Sequence, residues 1–201
     1  MDVEAPVKRK RADAVRNTAA VLEAAKAVFA ESGVDAPVRE IAARAEVGVG
    51  TIYRNYPQRS DLIIAVFRHE LDATADAAER LGAERPPAEA LRLWAERLRR
   101  FVETKRGFAA ALHSGDPAYA PLPRLFLGVL ASKVQAILDA GAADGTLRPD
   151  VRAEDLVEAL ARLISISVDG EPGRSDTMVS VLLDGLAGPP APTAQQQPRT
   201  D

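Results

Sequence analysis

Residues 38–56 read VREIAARAEVGVGTIYRNY. Val38, Ile41, Ala42 and Ala45 recur at helical spacing and predict a two-turn helix over 38–45, with Pro37 where a first helical turn tolerates proline. Glu46-Val47-Gly48 then makes a short turn. A second short helix is expected over 49–55, anchored inward by Ile52, with Val47 plugging the corner and Pro57 closing it. Two short helices joined by a tight turn are the helix-turn-helix plan. Gly48 and Gly50 stand where a sequence built only for helix would not place two glycines, and small residues let a DNA backbone come close. Thr51, Tyr53, Arg54, Asn55 and Tyr56 crowd the second helix. Hydroxyls and amides hydrogen-bond phosphates, and Arg54 can pair with a guanine edge. A plainer reading stays open, with Tyr53 a half-buried core aromatic and Arg54 and Arg59 solvated surface charges.

Outward from this stretch the chain reads as helix, and no segment shows the alternation of a strand. A first helix is expected over 12–32, with Val21, Leu22, Ala25, Val28 and Phe29 as its apolar stripe and Gly33 as its C-terminal cap. Ahead of it, residues 1–11 end in Lys8-Arg9-Lys10-Arg11 and read as a mobile basic arm, which is either a solvated end or a minor-groove contact. A fourth helix runs from about Gln58 to Leu81 and a fifth over 88–104. A short sixth follows near Phe108, and His113 to Pro121 form a loop. A seventh spans 122–143, an eighth 153–168 with Asp150 as a candidate cap, and a ninth 174–187. Residues 188–201, rich in Pro, Gln and Thr, are expected to be disordered. The fold class is thus all-α with about nine helices. Its domains are the arm, a three-helix DNA-binding domain over 12–57, a ligand-sensing and dimerisation bundle over 58–187, and the tail.

Composition narrows the function. The chain has no cysteine and only 2 histidines, so disulfides, thiolate metal sites and a histidine cage are not expected. No apolar run is expected to span a membrane, and the first residues are charged rather than a leader, which points to a cytoplasmic protein. The net charge of −3 is uneven: Lys8 to Arg59 carries 10 basic and 6 acidic residues. A basic front on an acidic body suits a protein that turns one end to a polyanion. Gly48-Val49-Gly50 mimics a dinucleotide fingerprint, but Tyr53 stands where the third glycine belongs and no strand precedes it. His113 near Asp116 is weak evidence for a metal or acid-base pair, and no metal or cofactor is expected.

The stretch from about Ala20 to Leu71 resembles the TetR-family DNA-binding domain. The matching residues are AAKAVFAESG (24–33), REIAARA (39–45) and VGTIYRNYPQRSDLI (49–63). The later TKRGFAAAL and DGTLRPDVRAEDL are similar to a widespread subgroup of regulators whose ligands are mostly unassigned. The resemblance implies that Arg39 and Thr51 contact phosphate and that Tyr53 and Tyr56 pack on the backbone or a thymine methyl. Val49, Gly50 and Arg54 would face bases. Asn55 stands where the family often has His, and would still reach a phosphate. Arg59 stands where it usually has Lys, at a helix N-terminus that also favours phosphate. Glu46 departs from the family's usual Gly at the turn, and a left-handed Glu there is strained by roughly 1 kcal/mol.

The later helices suggest a sensor. Trp94, Phe101, Phe108, Tyr119 and Phe126 could line an apolar cavity, with Arg97, His113 and Tyr119 as polar contacts, or could simply fill the core. The eighth and ninth helices are apolar over more than one stripe, so a second copy of the chain is the expected cover for helices 153–168 and 174–187. The expected function is a ligand-released repressor, a homodimer on a palindromic double-stranded operator with a small, largely apolar effector. The alternatives are a small-molecule-binding protein that has lost operator binding, favoured by Glu46, and an enzyme. An enzyme needs a nucleophile, paired carboxylates or a metal, and the sequence shows no convincing set.

Overall fold

The computed structural model describes residues 5–106, 108–112, 114–169 and 174–187. Among them are α1 (Ala5–Ser32), α2 (Val38–Arg44), α3 (Val49–Asn55), α4 (Arg59–Glu84), α5 (Pro87–Arg106), α6 (Ala109–Leu112), a 3-10 turn at Pro117–Tyr119, α7 (Leu122–Ala143), α8 (Ala153–Asp169) and α9 (Arg174–Leu186), with no strand. The fold is all-α, as the periodicity predicts. One difference lies at the start. The helix begins at Ala5 rather than at 12, so Lys8–Arg11 are helical instead of a loose arm. Nothing between Pro6 and Gly33 breaks a helix, Pro6 sits in the first turn where its missing N–H costs nothing, and Lys, Arg and Ala are good helix formers. His113 and the 188–201 tail lie outside the described residues.

Two compact units form, each discontinuous along the chain. The first takes residues 1–73 and 100–126. Val21, Leu22, Ala25, Val28 and Phe29 of α1, Ile41 and Ala42 of α2, and Ile52 of α3 are all buried. From α4 come Leu62, Ile63, Val66, Phe67 and Leu71. Aromatic rings tie the later stretch to these helices. Phe108 meets Phe29 edge-on at 5.6 Å, Phe101 meets Phe67 edge-on at 5.4 Å, and Phe126 stacks on Phe101 at 5.5 Å. Phe29, Phe67, Phe101 and Phe108 are buried, each contributing about 1.5–3 kcal/mol through burial alone, and Phe126 is half-buried. Gly33, at φ +76°, ends α1 as its N–H returns to the Phe29 carbonyl at 3.0 Å.

The second unit takes residues 74–99 and 127–201. Trp94 is fully enclosed, and its indole N–H donates to the Thr74 carbonyl at 3.0 Å. Leu130, Val134, Ile137 and Leu138 of α7 share this core with Leu156, Val157, Leu160 and Ile164 of α8 and with Val179, Leu183 and Leu186 of α9. Gly141 permits a close approach. A Cβ there would lie 2.5 Å from Leu147 Cγ, which the turn after α7 folds back over the helix. Arg92–Asp184 and Arg99–Asp176 ion pairs, both 2.6 Å, join α5 to α9. Asp150 does not cap α8. Its carboxylate is held by Arg148 at 2.6 and 2.7 Å, and the Ala153 N–H goes to Gln135 Oε1 at 3.2 Å. Pro117–Ala143 is long and apolar enough to cross a membrane by length and composition alone, with a mean hydropathy of 1.4 over its most apolar stretch. A third of that stretch is buried within the protein, and the core positions Leu130, Val134, Ile137 and Leu138 account for part of its apolarity.

Candidate nucleic-acid interface

The turn between α2 and α3 fixes how α3 is presented. The Val47 N–H reaches back to the Ala42 carbonyl at 3.0 Å, and the Glu46 N–H to Ala43 at 3.3 Å. This pair of bonds is the Schellman ending of a helix, in which the residue after the cap is left-handed and glycine is favoured. Here that residue is Glu46, at φ +55°, and among the described residues no other non-glycine has a positive φ. The strain expected from the sequence is therefore present. Gly48 follows in extended conformation and accepts from the Thr51 N–H at 2.8 Å, which starts α3.

The short helix α3 has one inward anchor and one open face. Ile52 is 1% exposed, whereas Val49 is 39% and Tyr53 52% exposed. Gly50 and Arg54 are exposed beside them, and Asn55 is exposed at the C-terminal end. Positions 49, 50, 53 and 54 share a side of a helix. A Cβ on Gly50 would meet nothing within 4 Å. Thr51 and Tyr56 are half-buried at the flanks, and burial raises the Tyr56 phenol above its ordinary value. Thr51 organises its neighbours: its hydroxyl accepts from Arg54 Nη2 at 3.1 Å, and its carbonyl from Asn55 Nδ2 at 2.8 Å. Arg39, on α2, is exposed.

Arg59 sits differently from the expectation that it reaches a phosphate. Its Nε donates to the Val34 carbonyl at 2.6 Å, its Nη1 to the Ala36 carbonyl at 3.0 Å, and its Nη2 to the same Ala36 oxygen. The guanidinium also lies 5.9 Å from the centre of the Phe29 ring. The first residue of α4 thus braces the loop that leads into α2. Arg44, which the sequence reading passed over, is likewise occupied, forming two parallel bonds of 2.8 and 2.9 Å to Glu31. That fork holds the Glu31 carboxyl below its ordinary range.

A charge cluster between α1 and α4 was also missed. Lys26 Nζ lies 2.6 Å from Glu23 and 2.8 Å from the buried Glu70, and His69 Nε2 lies 3.3 Å from Glu23. Burial disfavours the ammonium, but the two carboxylates outweigh it and raise the Lys26 pKa. Glu23, His69 and Glu70 could offer a metal three ligand atoms within 4.8 Å of one another. The chain's own ammonium supplies the positive charge there. Only the spacing of Glu23 and Lys26 hinted at this pairing in the sequence.

The residues expected to line a ligand cavity fall in both units. Trp94 and Arg97 belong to the second, and Phe101, Phe108, Tyr119 and Phe126 to the first. Trp94, Phe101 and Phe108 are each at most 2% exposed and pack as described above. Arg97 is half-buried. Tyr119 is buried, and its phenol is raised by burial and then by Asp116, with Arg59 acting the other way.

Comparison with known proteins places this helix-turn-helix chain. Residues 21–66 match the family described as bacterial regulatory proteins, tetR family, and residues 86–188 match the C-terminal domain described as transcriptional regulator SbtR-like. The chain belongs to the TetR family of transcriptional regulators. It is similar to the HTH-type transcriptional repressor LfrR of Mycolicibacterium smegmatis, at 39% identity over 90 residues, which is 45% of this chain and 44% of LfrR. The chain therefore spans less than half the length of that curated relative. A TetR transcriptional regulator from Streptomyces coelicolor is 38% identical, with a TM-score of 0.72 over 85% of this chain and 98% of its own. A TetR regulatory protein from Mycobacterium vanbaalenii is 34% identical, with a TM-score of 0.67 over 89% and 99%.

Proposed function

We propose that the chain is a cytoplasmic, ligand-released repressor that binds a palindromic operator as a homodimer. The open face of α3 carries the reading: an exposed tyrosine, valine and arginine beside a glycine that nothing in the chain requires to be small. An exposed Tyr53 is costly in water and suited to stacking on a sugar-phosphate backbone. Val49, Gly50 and Arg54 face base edges, and Arg39, Thr51, Asn55 and Tyr56 reach phosphates. Arg59 is left out of this set because its Nε, Nη1 and Nη2 each already donate to a carbonyl of the loop ahead of α2. The similarity to LfrR, which is named a repressor, supports the direction of control.

A second copy covers α8 and α9. Met178 and Val181, one turn apart on α9, are 46% and 56% exposed, and Leu182 is half-buried. Apolar surface of this kind on a terminal helix seeks a partner. A small, largely apolar effector acts through the body of the protein and changes the spacing of two α3 helices, which must match about 34 Å to read both half-sites. A second reading, a sensor that has lost operator binding, is favoured by the acidic, strained Glu46.

The test is binding to DNA from around the chain's own gene, beside Tyr53→Ala and Arg54→Ala. Specific binding lost in both variants supports the repressor. Equal, weak binding to any DNA by all three proteins supports the second reading. Light scattering of the wild type and Val181→Arg reads the dimer, and a monomeric wild type at micromolar concentration refutes it. Release from DNA by a member of a panel of apolar metabolites reads the effector.

A further inference from the structure

Side chains on the open side of α3 are joined to one another before any DNA arrives. Arg54 Nη2 donates to the Thr51 hydroxyl at 3.1 Å, and Asn55 Nδ2 donates to the Thr51 carbonyl at 2.8 Å. Thr51 is half-buried, while Arg54 and Asn55 are exposed. The contrast with the neighbouring arginines is chemical. Arg44 is held by the Glu31 carboxylate and Arg59 by backbone carbonyls. Arg54 is held by a neutral hydroxyl, which is a weaker acceptor than a carboxylate and leaves the guanidinium charge uncompensated. The bond places Arg54 without occupying it.

The donor inventory shows what remains. A guanidinium carries five N–H groups arranged in two two-pronged edges, and Nη2 contributes one hydrogen to each edge. Thr51 takes one of these hydrogens, so one edge stays whole. A whole edge is what pairs with guanine O6 and N7. The threonine hydroxyl has two lone pairs and one hydrogen. Arg54 uses a lone pair, and the hydrogen remains for a phosphate oxygen. Gly48 places no side chain over this hydroxyl, whereas a Cβ there would stand 3.9 Å from Oγ1. Residues three apart are neighbours on a helix, so the bond travels with α3 as a unit. A loose arginine spreads over many rotamers, and holding one of them reduces the ordering that base reading requires.

We infer that Thr51 is a positioning residue for base reading. It fixes the Arg54 guanidinium relative to the phosphate that its own hydroxyl meets, so the preference for guanine at the position read by Arg54 depends on a side chain that touches no base. Without the hydroxyl, Arg54 presents either edge and discriminates less. The inference rests on the DNA-binding reading above.

The probe is a pool of duplexes with a randomised central segment, carried through selection and sequencing. It compares wild type, Arg54→Ala, Thr51→Val and Thr51→Ser. Valine keeps the shape of threonine and removes the hydroxyl; serine restores it, and thermal melting checks that each variant is folded. Arg54→Ala marks the position that Arg54 reads, where a two-pronged arginine–guanine pair discriminates by about 5- to 150-fold. In Thr51→Val the preference at that position falls by about 3- to 10-fold, the size of one lost hydrogen bond. Other positions keep their preferences, and Thr51→Ser recovers the lost one. Thr51 is uncharged, so the slope of log K against log salt is the same in Thr51→Val as in wild type. If Thr51→Val binds every sequence more weakly by one common factor, Thr51 is a phosphate contact alone and the inference is overturned. Preferences lost at all positions together overturn it as well, since they mark a misplaced helix. If Arg54→Ala selects the same sequence as wild type, the inference fails while the DNA-binding reading stands. A wild type that selects no sequence defeats that reading and the inference with it.

Discussion

Replacing Glu46 separates backbone strain from charge at a single position. The residue sits at φ +55° in a Schellman turn, held there by the Val47 and Glu46 N–H bonds to Ala42 and Ala43. A side chain with a Cβ costs about 1–2 kcal/mol in this region, and glycine does not. Glycine also adds freedom to the unfolded chain, which subtracts about 0.4–1 kcal/mol. Glu46→Gly is therefore expected to stabilise the protein by about 0.5–1 kcal/mol, read by thermal melting as a rise of about 1–4 °C for a chain of this size. Glu46→Ala keeps the strain and gains nothing; Glu46→Asn falls between, because Asn tolerates the left-handed region. Glu46→Gln leaves the melting temperature unchanged but removes a negative charge beside the proposed DNA surface, and so tightens DNA binding. If Glu46→Ala stabilises as much as Glu46→Gly, the strain argument is refuted and the carboxylate itself is the destabilising element.

Two further outcomes test the internal packing. Arg59→Ala leaves the Val34 and Ala36 carbonyls without their charged donor, so urea unfolding should show a loss of about 2–3 kcal/mol, with no change in the salt slope of DNA binding. Normal stability with a shallower slope would return Arg59 to the phosphates. Trp94→Phe removes the bond to the Thr74 carbonyl and some buried volume, and is expected to cost about 1–3 kcal/mol without any ligand present. A cost below about 0.5 kcal/mol would mean that the indole belongs to a cavity rather than to the core.

Helical periodicity made most of the architecture legible, because apolar residues at 3.6-residue spacing mark both an element and its buried side. Val21 to Phe29, Ile52 and Leu62 to Leu71 were readable in this way. Element ends were harder. Periodicity says nothing about a polar, basic run such as Lys8–Arg11, which extends α1 only because no breaker intervenes. Nor does it say which core a stretch of helix joins, so Trp94 and Phe101, two turns apart on α5, fall in different units. The left-handed Glu46 was legible only through the family resemblance, which puts glycine at that position of the turn. The engagement of Arg44 and Arg59 was not, since an arginine's partner across 13 or 25 residues depends on chain geometry rather than local pattern. The sequence reading offered Arg59 to a phosphate and passed over Arg44; in the structure both guanidiniums have partners within the chain.

The brace formed by Arg59 bears on how this protein could be taken apart. A natural-looking cut for moving its DNA specificity onto another body falls at Pro57, after the last residue of α3 and its cap. That cut would leave behind the side chain that joins the Val34 and Ala36 carbonyls and faces Phe29. The smallest transplantable piece therefore ends beyond Arg59, with the opening turn of α4 included. A chimera joined one turn earlier inherits a recognition helix whose supporting loop has lost its clasp.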